Sequence, residues 1–140
     1  MGDTALIRGV AAAAKQLLPG VRIIGVQAER APSYYLSWRA GTAIATETCD
    51  TCADGLATRT PDPANVRAIR ELVDEVVLVT EQQMINAIRH LYEHEGVVAE
   101  PAGAAATAAF VAGPRPDGPT VLLVTGGNIS QEVRQRAGIQ

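Results

Sequence analysis

The 140-residue chain has almost no lysine: eleven of its twelve basic residues are arginine, and Lys15 is the single lysine. Any chemistry that needs a lysine amine must therefore use Lys15 or a residue of another chain. Aromatic residues are also scarce, at 4% of the chain. Apolar residues nevertheless make up 47%, which is ample for a hydrophobic core, and the length is typical of one domain.

Several classes of protein are excluded by what is missing. Basic residues are not in excess, because the net charge is −3, so nucleic acid is not an expected partner. No apolar run approaches the roughly 20 residues that span a membrane, so we expect no membrane partner. The first 15 residues lack the layout of a secretory signal. These absences predict a soluble, cytoplasmic protein.

Cysteine is limited to Cys49 and Cys52, which form a C-D-T-C pair. Such a pair occurs in redox motifs and as half of a zinc site. A structural zinc site needs four ligands, and the sequence has no second CxxC. A redox pair typically begins a helix after a strand, whereas this pair lies in a Thr- and Asp-rich stretch. The pair is therefore interpreted as two ordinary thiols.

Helical and strand patterns alternate along the chain, which predicts an α/β fold with right-handed crossovers. We expect an open, three-layer partial sandwich: a mainly parallel sheet of about three strands flanked by helices, in one domain covering residues 1–140. Strands are predicted at 21–26, 76–79 and 120–124. Helices are predicted at 6–18, 33–39, from 63, from 81 to 95, 101–112 and from 130, and 42–62 reads as a long loop.

Two helix starts carry specific capping signals. Asp62 is placed as an N-cap with Pro63 at the first helical position. Thr80 and Gln83 have the spacing of a capping box, in which each side chain bonds the backbone of the other residue. The first helix has a predicted apolar face of Leu6, Ile7, Val10, Ala11, Ala14, Leu17 and Leu18.

The best candidate site follows the third predicted strand, in Thr125-Gly126-Gly127-Asn128. In an open parallel sheet, ligands bind beyond the carboxyl ends of the strands. Two glycines let the backbone approach a ligand closely, while Thr125 offers a hydroxyl and Asn128 an amide. The same four residues are equally compatible with a tight strand-to-helix turn.

Three further positions have a functional and an ordinary interpretation. Glu100 comes directly before a predicted helix, so its carboxylate either caps that helix or faces a cofactor ring. Gly55 follows Asp54 in the long loop, and Asp-Gly is first of all a turn signal. His90 and His94 are four apart on a helix and could share a metal, but they lack a further ligand and are interpreted as surface residues.

Taken in order, the segments of the chain resemble the threonine/serine dehydratase family, the fold type II pyridoxal-phosphate (PLP) enzymes that include serine racemase. The resemblance covers almost the whole chain but only the carboxyl-terminal part of such an enzyme's large PLP-binding domain. The similar segments are LIRGVAAAAK (6–15), VRIIGVQAERAPSYYLSWRAG (21–41), TCADGLA (51–57), IRELVDEVVLVTEQQM (69–84), VVAEPAGAA (97–105) and VLLVTGGNIS (121–130).

The resemblance implies roles for six residues. Thr125 stands where the family has a hydroxyl or thiol that contacts the pyridine nitrogen of PLP, and Gly126, Gly127 and Asn128 continue that motif. Glu100 matches the family's acidic residue near the cofactor ring. A sixth residue, the loop glycine of TCADGLA (Gly55), matches a backbone position near cofactor and substrate.

Three departures from the family concern the phosphate, the lysine and the metal. The family's run of four phosphate-binding glycines is Gly2-Asp3-Thr4-Ala5 here, so we expect Asp3 to repel phosphate and the side chains to crowd it. The segment that carries the PLP-binding lysine in the family has no counterpart, and Lys15 does not match that lysine. The metal-ligand positions are Gln27 and Ser33 here, so no divalent-cation site is expected.

Two functions follow from the resemblance. One is a fragment of a PLP-dependent threonine/serine ammonia-lyase-like protein, inactive alone because the lysine and the glycine loop are missing, with no catalytic residue of its own. A complementing amino-terminal chain is then an implied partner. The other is a non-catalytic, oligomeric small-molecule-binding or assembly module that reuses the half-fold. Unpaired sheet edges and exposed apolar surface predict a homo-oligomer in both cases.

Overall fold

The structure, a computed structural model, describes residues 1–139. Helices and strands alternate along the chain, with one short 3₁₀ helix, Asp54–Leu56, inside the long loop. The elements are α1 (Ala5–Leu17), β1 (Ile24–Ala28), α2 (Ser33–Ala40), α3 (Pro63–Leu72), β2 (Glu75–Val79), α4 (Glu81–Glu95), α5 (Pro101–Ala112) and α6 (Gln131–Ala137). None of these helices is both long and apolar enough to cross a membrane.

The two strands pair in parallel, with Ile24 opposite Glu75 and Ala28 opposite Val79. The connection between them contains α2 and α3, as expected for a crossover between parallel strands. The α/β class and the open parallel sheet are therefore confirmed. β1 begins three residues later than predicted. The reason is that the backbone N–H of Ile23 donates to the Asp74 carboxylate at 2.7 Å and not to a backbone carbonyl of a neighbouring strand.

The third predicted strand is not formed. Within residues 1–139 the sheet has two strands rather than about three, and residues 120–124 have no regular secondary structure. Val121 is 85% exposed, and Leu123 and Val124 are also exposed. The β-branched and apolar composition of this segment favours a strand, but a strand forms only where a neighbour supplies hydrogen bonds. No strand among the described residues is paired with it.

Capping was predicted correctly at two helices. The side chain of Asp62 accepts hydrogen bonds from the backbone N–H groups of Ala64 and Asn65 at the start of α3. Both bonds of the capping box between Thr80 and Gln83 are present at the start of α4. These bonds satisfy N–H groups that have no partner within the helix, and they define where both helices begin.

The sheet separates two clusters of buried side chains. Val79 belongs to a cluster with residues of α4, α5 and α6, whereas Val76 belongs to one with residues of α2 and α3. The two valines are three positions apart, so their side chains point to opposite faces of the strand. This arrangement gives the expected three layers.

The predicted apolar face of α1 is covered only in part. Ala11 is the helix's one fully buried residue, whereas Leu6, Leu17 and Leu18 are 58%, 79% and 63% exposed. The apolar spacing identifies the helix correctly, but it overstates the surface that this chain buries. The uncovered leucines leave apolar surface on the outside of the molecule.

Candidate functional site

The site is built around the first turn of α5. Glu100 occupies the N-cap position and Pro101 follows it, but the side chain of Glu100 makes no capping hydrogen bond. Its carboxylate lies instead against Gly126, where an added Cβ would be 2.7 Å from the Glu100 carboxyl carbon. The backbone N–H of Glu100 also donates to the carbonyl oxygen of Gly126 at 3.1 Å. Glu100 therefore stands at the cap position as expected, but its side chain does not cap the helix through a hydrogen bond.

Gly103 makes the second contact between α5 and the segment after residue 124. The Thr125 carbonyl lies so close to its Cα that an added Cβ would be 2.7 Å from the carbonyl carbon. The backbone N–H of Thr125 in turn reaches the carbonyl oxygen of Gly103 at 3.4 Å. Gly103 was not among the predicted site residues. The run of small residues after Pro101 is the signal from which this close packing could have been predicted.

Gly55 approaches the same helix from the long loop. An added Cβ at this position would lie 2.9 Å from the Cβ of Ala102. Gly2 also lies in backbone contact with Gly55. The first turn of α5 therefore brings together the loop containing Gly55, the start of the chain and the segment that begins at Thr125.

The structure thus places four of the six predicted residues around one helix turn: Gly55, Glu100, Thr125 and Gly126. Gly127 lies beside this group, because its added Cβ would be 3.1 Å from the Val98 carbonyl oxygen. Residues 125–128 are all exposed. The arrangement places Thr125, with its hydroxyl, and the Glu100 carboxylate at one end of α5. Their contact with a cofactor stays a prediction.

The segment before α1 contains Asp3 and Thr4, and the expectation that its side chains repel and crowd a phosphate group stays a prediction. The carboxylate of Asp3 accepts a hydrogen bond from the buried hydroxyl of Tyr34 at 2.9 Å and one from the amide of Asn65 at 3.3 Å. These two donors lie on α2 and α3. Thr4 is 3% exposed, and its hydroxyl makes no hydrogen bond within residues 1–139. Its φ of 64° is a left-handed conformation typical of glycine.

The two residues that the resemblance places at the family's metal-ligand positions make other hydrogen bonds. The amide oxygen of Gln27 accepts the backbone N–H of Tyr35 at 2.8 Å, and the hydroxyl of Ser33 donates to the Thr58 carbonyl at 2.5 Å. Among residues 1–139, no group of three or more His, Cys, Asp and Glu side chains could hold a metal. The lack of a cation site stays a prediction.

Cys49 and Cys52 are free, half-buried thiols. Burial and the neighbouring carboxylate of Glu81 raise the pKa of Cys52 to about 12, so this thiol stays protonated. The Glu81 carboxylate accepts hydrogen bonds from the Thr51 hydroxyl at 2.7 Å and the Cys52 backbone N–H at 2.8 Å. These bonds attach the long loop to the start of α4. Cys52 therefore has a structural environment and not that of a reactive thiolate.

Lys15 is far from the site. Its ammonium group forms an ion pair with Asp74 at 2.7 Å, near the carboxyl-terminal end of α1. A helix rises about 1.5 Å per residue, so Lys15 lies about 15 Å along the axis from the start of α1. The single lysine of the chain is thus bound at the opposite end of α1 from the residues that surround Gly55.

A separate groove of about 470 Å³ lies between α4, α5 and the segment at 122–124. Its lining is mainly apolar and includes Phe110 and Leu122, with His90 at one side. The hydroxyl of Thr107 is buried there without a hydrogen-bond partner among the described residues. His94 is exposed, with its ring centre 4.6 Å from that of His90.

Comparison with known proteins gives consistent matches. Residues 1–126 match the family described as "Pyridoxal-phosphate dependent enzyme". The chain is 39% identical over 137 residues to an L-threonine ammonia-lyase of Thermotoga maritima, covering 97% of this chain. It is 37% identical over 133 residues to the catabolic L-threonine dehydratase TdcB of Escherichia coli K12, covering 92% of this chain.

Solved structures agree. A threonine deaminase from T.th. superimposes with a TM-score of 0.87 and 33% identity, covering 93% of this chain and 48% of that one. Maize serine racemase superimposes with a TM-score of 0.82 and 28% identity, covering 99% of this chain and 44% of the other. The chain spans 34% and 40% of the lengths of the two curated relatives above.

Proposed function

The chain belongs to the family of pyridoxal-phosphate-dependent enzymes, and we propose that it forms the cofactor-facing part of a threonine/serine ammonia-lyase-like site that another polypeptide segment completes. The observation that carries the proposal is the meeting of Gly55, Glu100 and Thr125 around the first turn of α5. These residues come from separate parts of the sequence, and no single motif would bring them together.

The residues present fit both ends of PLP. At the phosphate end, α1 begins with N–H groups that have no partner within the helix, and no acidic residue lies in its first turn. The buried, unpartnered hydroxyl of Thr4 adds a donor at the same place. At the ring end, the exposed hydroxyl of Thr125 can meet the pyridine nitrogen, and the Glu100 carboxylate lies beside Gly126.

PLP supplies the electron sink for amino-acid eliminations in this family. The residues of this chain would bind and orient it: the start of α1 would hold the phosphate, Thr125 would accept or donate a hydrogen bond at the ring nitrogen, and Gly55 would allow close backbone approach. Because Lys15 is bound to Asp74 at the other end of α1, this chain supplies no lysine amine to the site. We therefore propose that the chain alone is inactive.

The first experiment tests the chain by itself with PLP. We expect no visible absorbance band that depends on Lys15, so the wild type and Lys15→Ala should give the same spectrum. We also expect no 2-oxo acid from serine or threonine. A band that is lost in Lys15→Ala, together with 2-oxo acid formation, would show that the lone chain is catalytic.

The second experiment tests complementation. The chain is co-expressed with the amino-terminal part of a family member, and 2-oxo acid formation from serine and threonine is measured. We expect activity only when both are present, and a loss of at least about tenfold in Thr125→Ala. Thr120→Ala is the matched control, because Thr120 is exposed but lies outside the site. Equal activity in both variants would contradict the proposed role of Thr125.

The alternative function is an oligomeric binding or assembly module without catalysis. The groove beside Phe110 favours it, because apolar side chains and a buried unpartnered hydroxyl line open space there. The exposed leucines of α1 and the exposed Val121 add apolar surface that a second copy could cover. A homo-oligomer is part of both functions, and cytoplasmic location stays a prediction.

A further inference from the structure

Asp3 is an acidic residue at a place that should attract anions. It lies two positions before Ala5, the first residue of α1, and a helix start attracts negative charge through its free N–H groups and its dipole. A free carboxylate there would compete with a phosphate group and repel it. Whether the segment binds phosphate therefore depends on where the Asp3 carboxylate is held.

Tyr34 holds this carboxylate. Its side chain is fully buried, and its hydroxyl donates to Asp3 Oδ1 at 2.9 Å. The same hydroxyl accepts the backbone N–H of Asp62 and the side-chain amide of Asn65, each at 3.2 Å, so the start of α3 keeps it in place. Burial raises the pKa of Tyr34, which keeps the hydroxyl protonated and able to donate at neutral pH.

Asn65 supports the same position of Asp3. Its amide nitrogen lies 3.3 Å from both the backbone carbonyl oxygen and the carboxylate of Asp3. The neighbouring residue, Thr4, keeps a buried hydroxyl that has no partner within residues 1–139. The Asp3 side chain is thus bound by residues of α2 and α3, whereas the Thr4 hydroxyl has no hydrogen-bond partner within residues 1–139.

We infer that Tyr34, assisted by Asn65, is a positioning residue that holds the Asp3 carboxylate away from the start of α1, so that this segment binds a phosphate group in spite of its acidic residue. The inference rests on the proposed function, in which that phosphate belongs to PLP. Inorganic phosphate presents the same chemistry, and the experiment separates the two sources.

The test measures binding of three probes to the full chain by calorimetry: pyridoxine 5′-phosphate, pyridoxine and inorganic phosphate. Pyridoxine 5′-phosphate has no aldehyde, so it cannot react with Lys15 or the terminal amine. We expect the wild type to bind it more tightly than pyridoxine or inorganic phosphate. Tyr34→Phe should weaken the two phosphate-bearing probes by about tenfold and leave pyridoxine unchanged, because only the phosphate meets the released carboxylate.

Rescue separates positioning from a general structural role. In the Tyr34→Phe background, Asp3→Asn should restore binding of pyridoxine 5′-phosphate to within about twofold of wild type, because the released side chain is then neutral. Tyr35→Phe is the matched control, since the Tyr35 hydroxyl bonds Arg39 and not Asp3. If Tyr34→Phe unfolds the chain, Asn65→Ala keeps the tyrosine and should weaken the phosphate-bearing probes by about threefold.

The possible results distinguish the positioning role of Tyr34 from the proposed function. Equal phosphate binding in wild type and Tyr34→Phe, or failure of Asp3→Asn to restore it, would overturn the positioning role while leaving the proposed function intact. Inorganic phosphate that binds as tightly as pyridoxine 5′-phosphate, with the same response to Tyr34→Phe, would support the positioning role and contradict the cofactor assignment. Absence of binding by all three probes would overturn both.

Discussion

The carboxylate of Glu100 lies directly against the Cα of Gly126, in a space that any side chain at position 126 would occupy. Gly126 also has a φ of 71°, in the left-handed region that favours glycine. The position of the Glu100 carboxylate therefore depends on the lack of a side chain at Gly126. Glu100 keeps its place at the site because position 126 has no Cβ.

Replacing Gly126 with alanine should destabilise the chain through both strain and overlap. Gly96→Ala is the matched control, because Gly96 has a φ of 65° but no atom within 4 Å of an added Cβ. We expect Gly96→Ala to lower the free energy of unfolding by about 1 kcal/mol and Gly126→Ala by about 2 to 3 kcal/mol, measured by urea unfolding. Adding Glu100→Ala should recover part of the difference. Equal losses of unfolding free energy in Gly96→Ala and Gly126→Ala would contradict the contact between Glu100 and Gly126.

Replacing Gly103 with alanine should lower stability, although the same change usually stabilises a helix interior. Alanine normally stabilises a helix interior relative to glycine by about 0.5 to 1 kcal/mol, which we expect for Gly9→Ala in α1, where an added Cβ meets nothing within 4 Å. Gly103→Ala should instead destabilise by about 1 to 3 kcal/mol, because its Cβ meets the Thr125 carbonyl. Thermal unfolding of the two variants checks the opposite signs. Stabilisation by both would refute the close approach.

Glu81 should make stability depend on pH in the acid range. Burial alone would raise its pKa, but hydrogen bonds from Cys52 and Thr51 outweigh burial, so the pKa of Glu81 lies below its ordinary 4.5. The folded state therefore binds this proton less readily than the unfolded state. The resulting stabilisation is complete above the ordinary pKa and is lost as pH falls through 4.5 toward the lowered value.

We accordingly expect Glu81→Gln to lower the free energy of unfolding by about 1 kcal/mol at pH 7, with the difference from wild type shrinking as pH falls below about 5. Urea unfolding across this range measures it. Glu93→Gln is the control, because Glu93 is exposed near the end of the same helix. A stability difference between wild type and Glu81→Gln that grows as pH falls would contradict the lowered pKa of Glu81.

Exposed apolar side chains predict self-association. Val121 is 85% exposed in a segment that lacks a strand partner within residues 1–139. We expect a homo-oligomer at micromolar concentration by light scattering, and at least about tenfold weaker association in Val121→Asp, since a charge would be buried in the contact. Asp117→Asn, in the exposed turn before it, should leave association unchanged. A strictly monomeric wild type would contradict this prediction.

The sequence alone predicted the order of the elements and most of their boundaries. The caps at Asp62 and Thr80 are local, because their side chains bond N–H groups two or three residues away, and such bonds can be read from spacing. The ordered segments also identified the family and pointed to the positions around α5. The capping inferences succeeded because each depends on residues that are close together in the chain.

The failures lie where the outcome depends on distant residues. The composition of residues 120–124 favours a strand, but no neighbour pairs with them in the described part of the chain. The bond between the Asp3 carboxylate and Tyr34, 31 residues away, was not predicted. The contact of Glu100 with Gly126 was not predicted either. Bonds between residues that are near in sequence determine where helices begin, and they can be predicted from the sequence. Packing between distant residues determines which segment pairs as a strand and which carboxylates and glycines come together at the site.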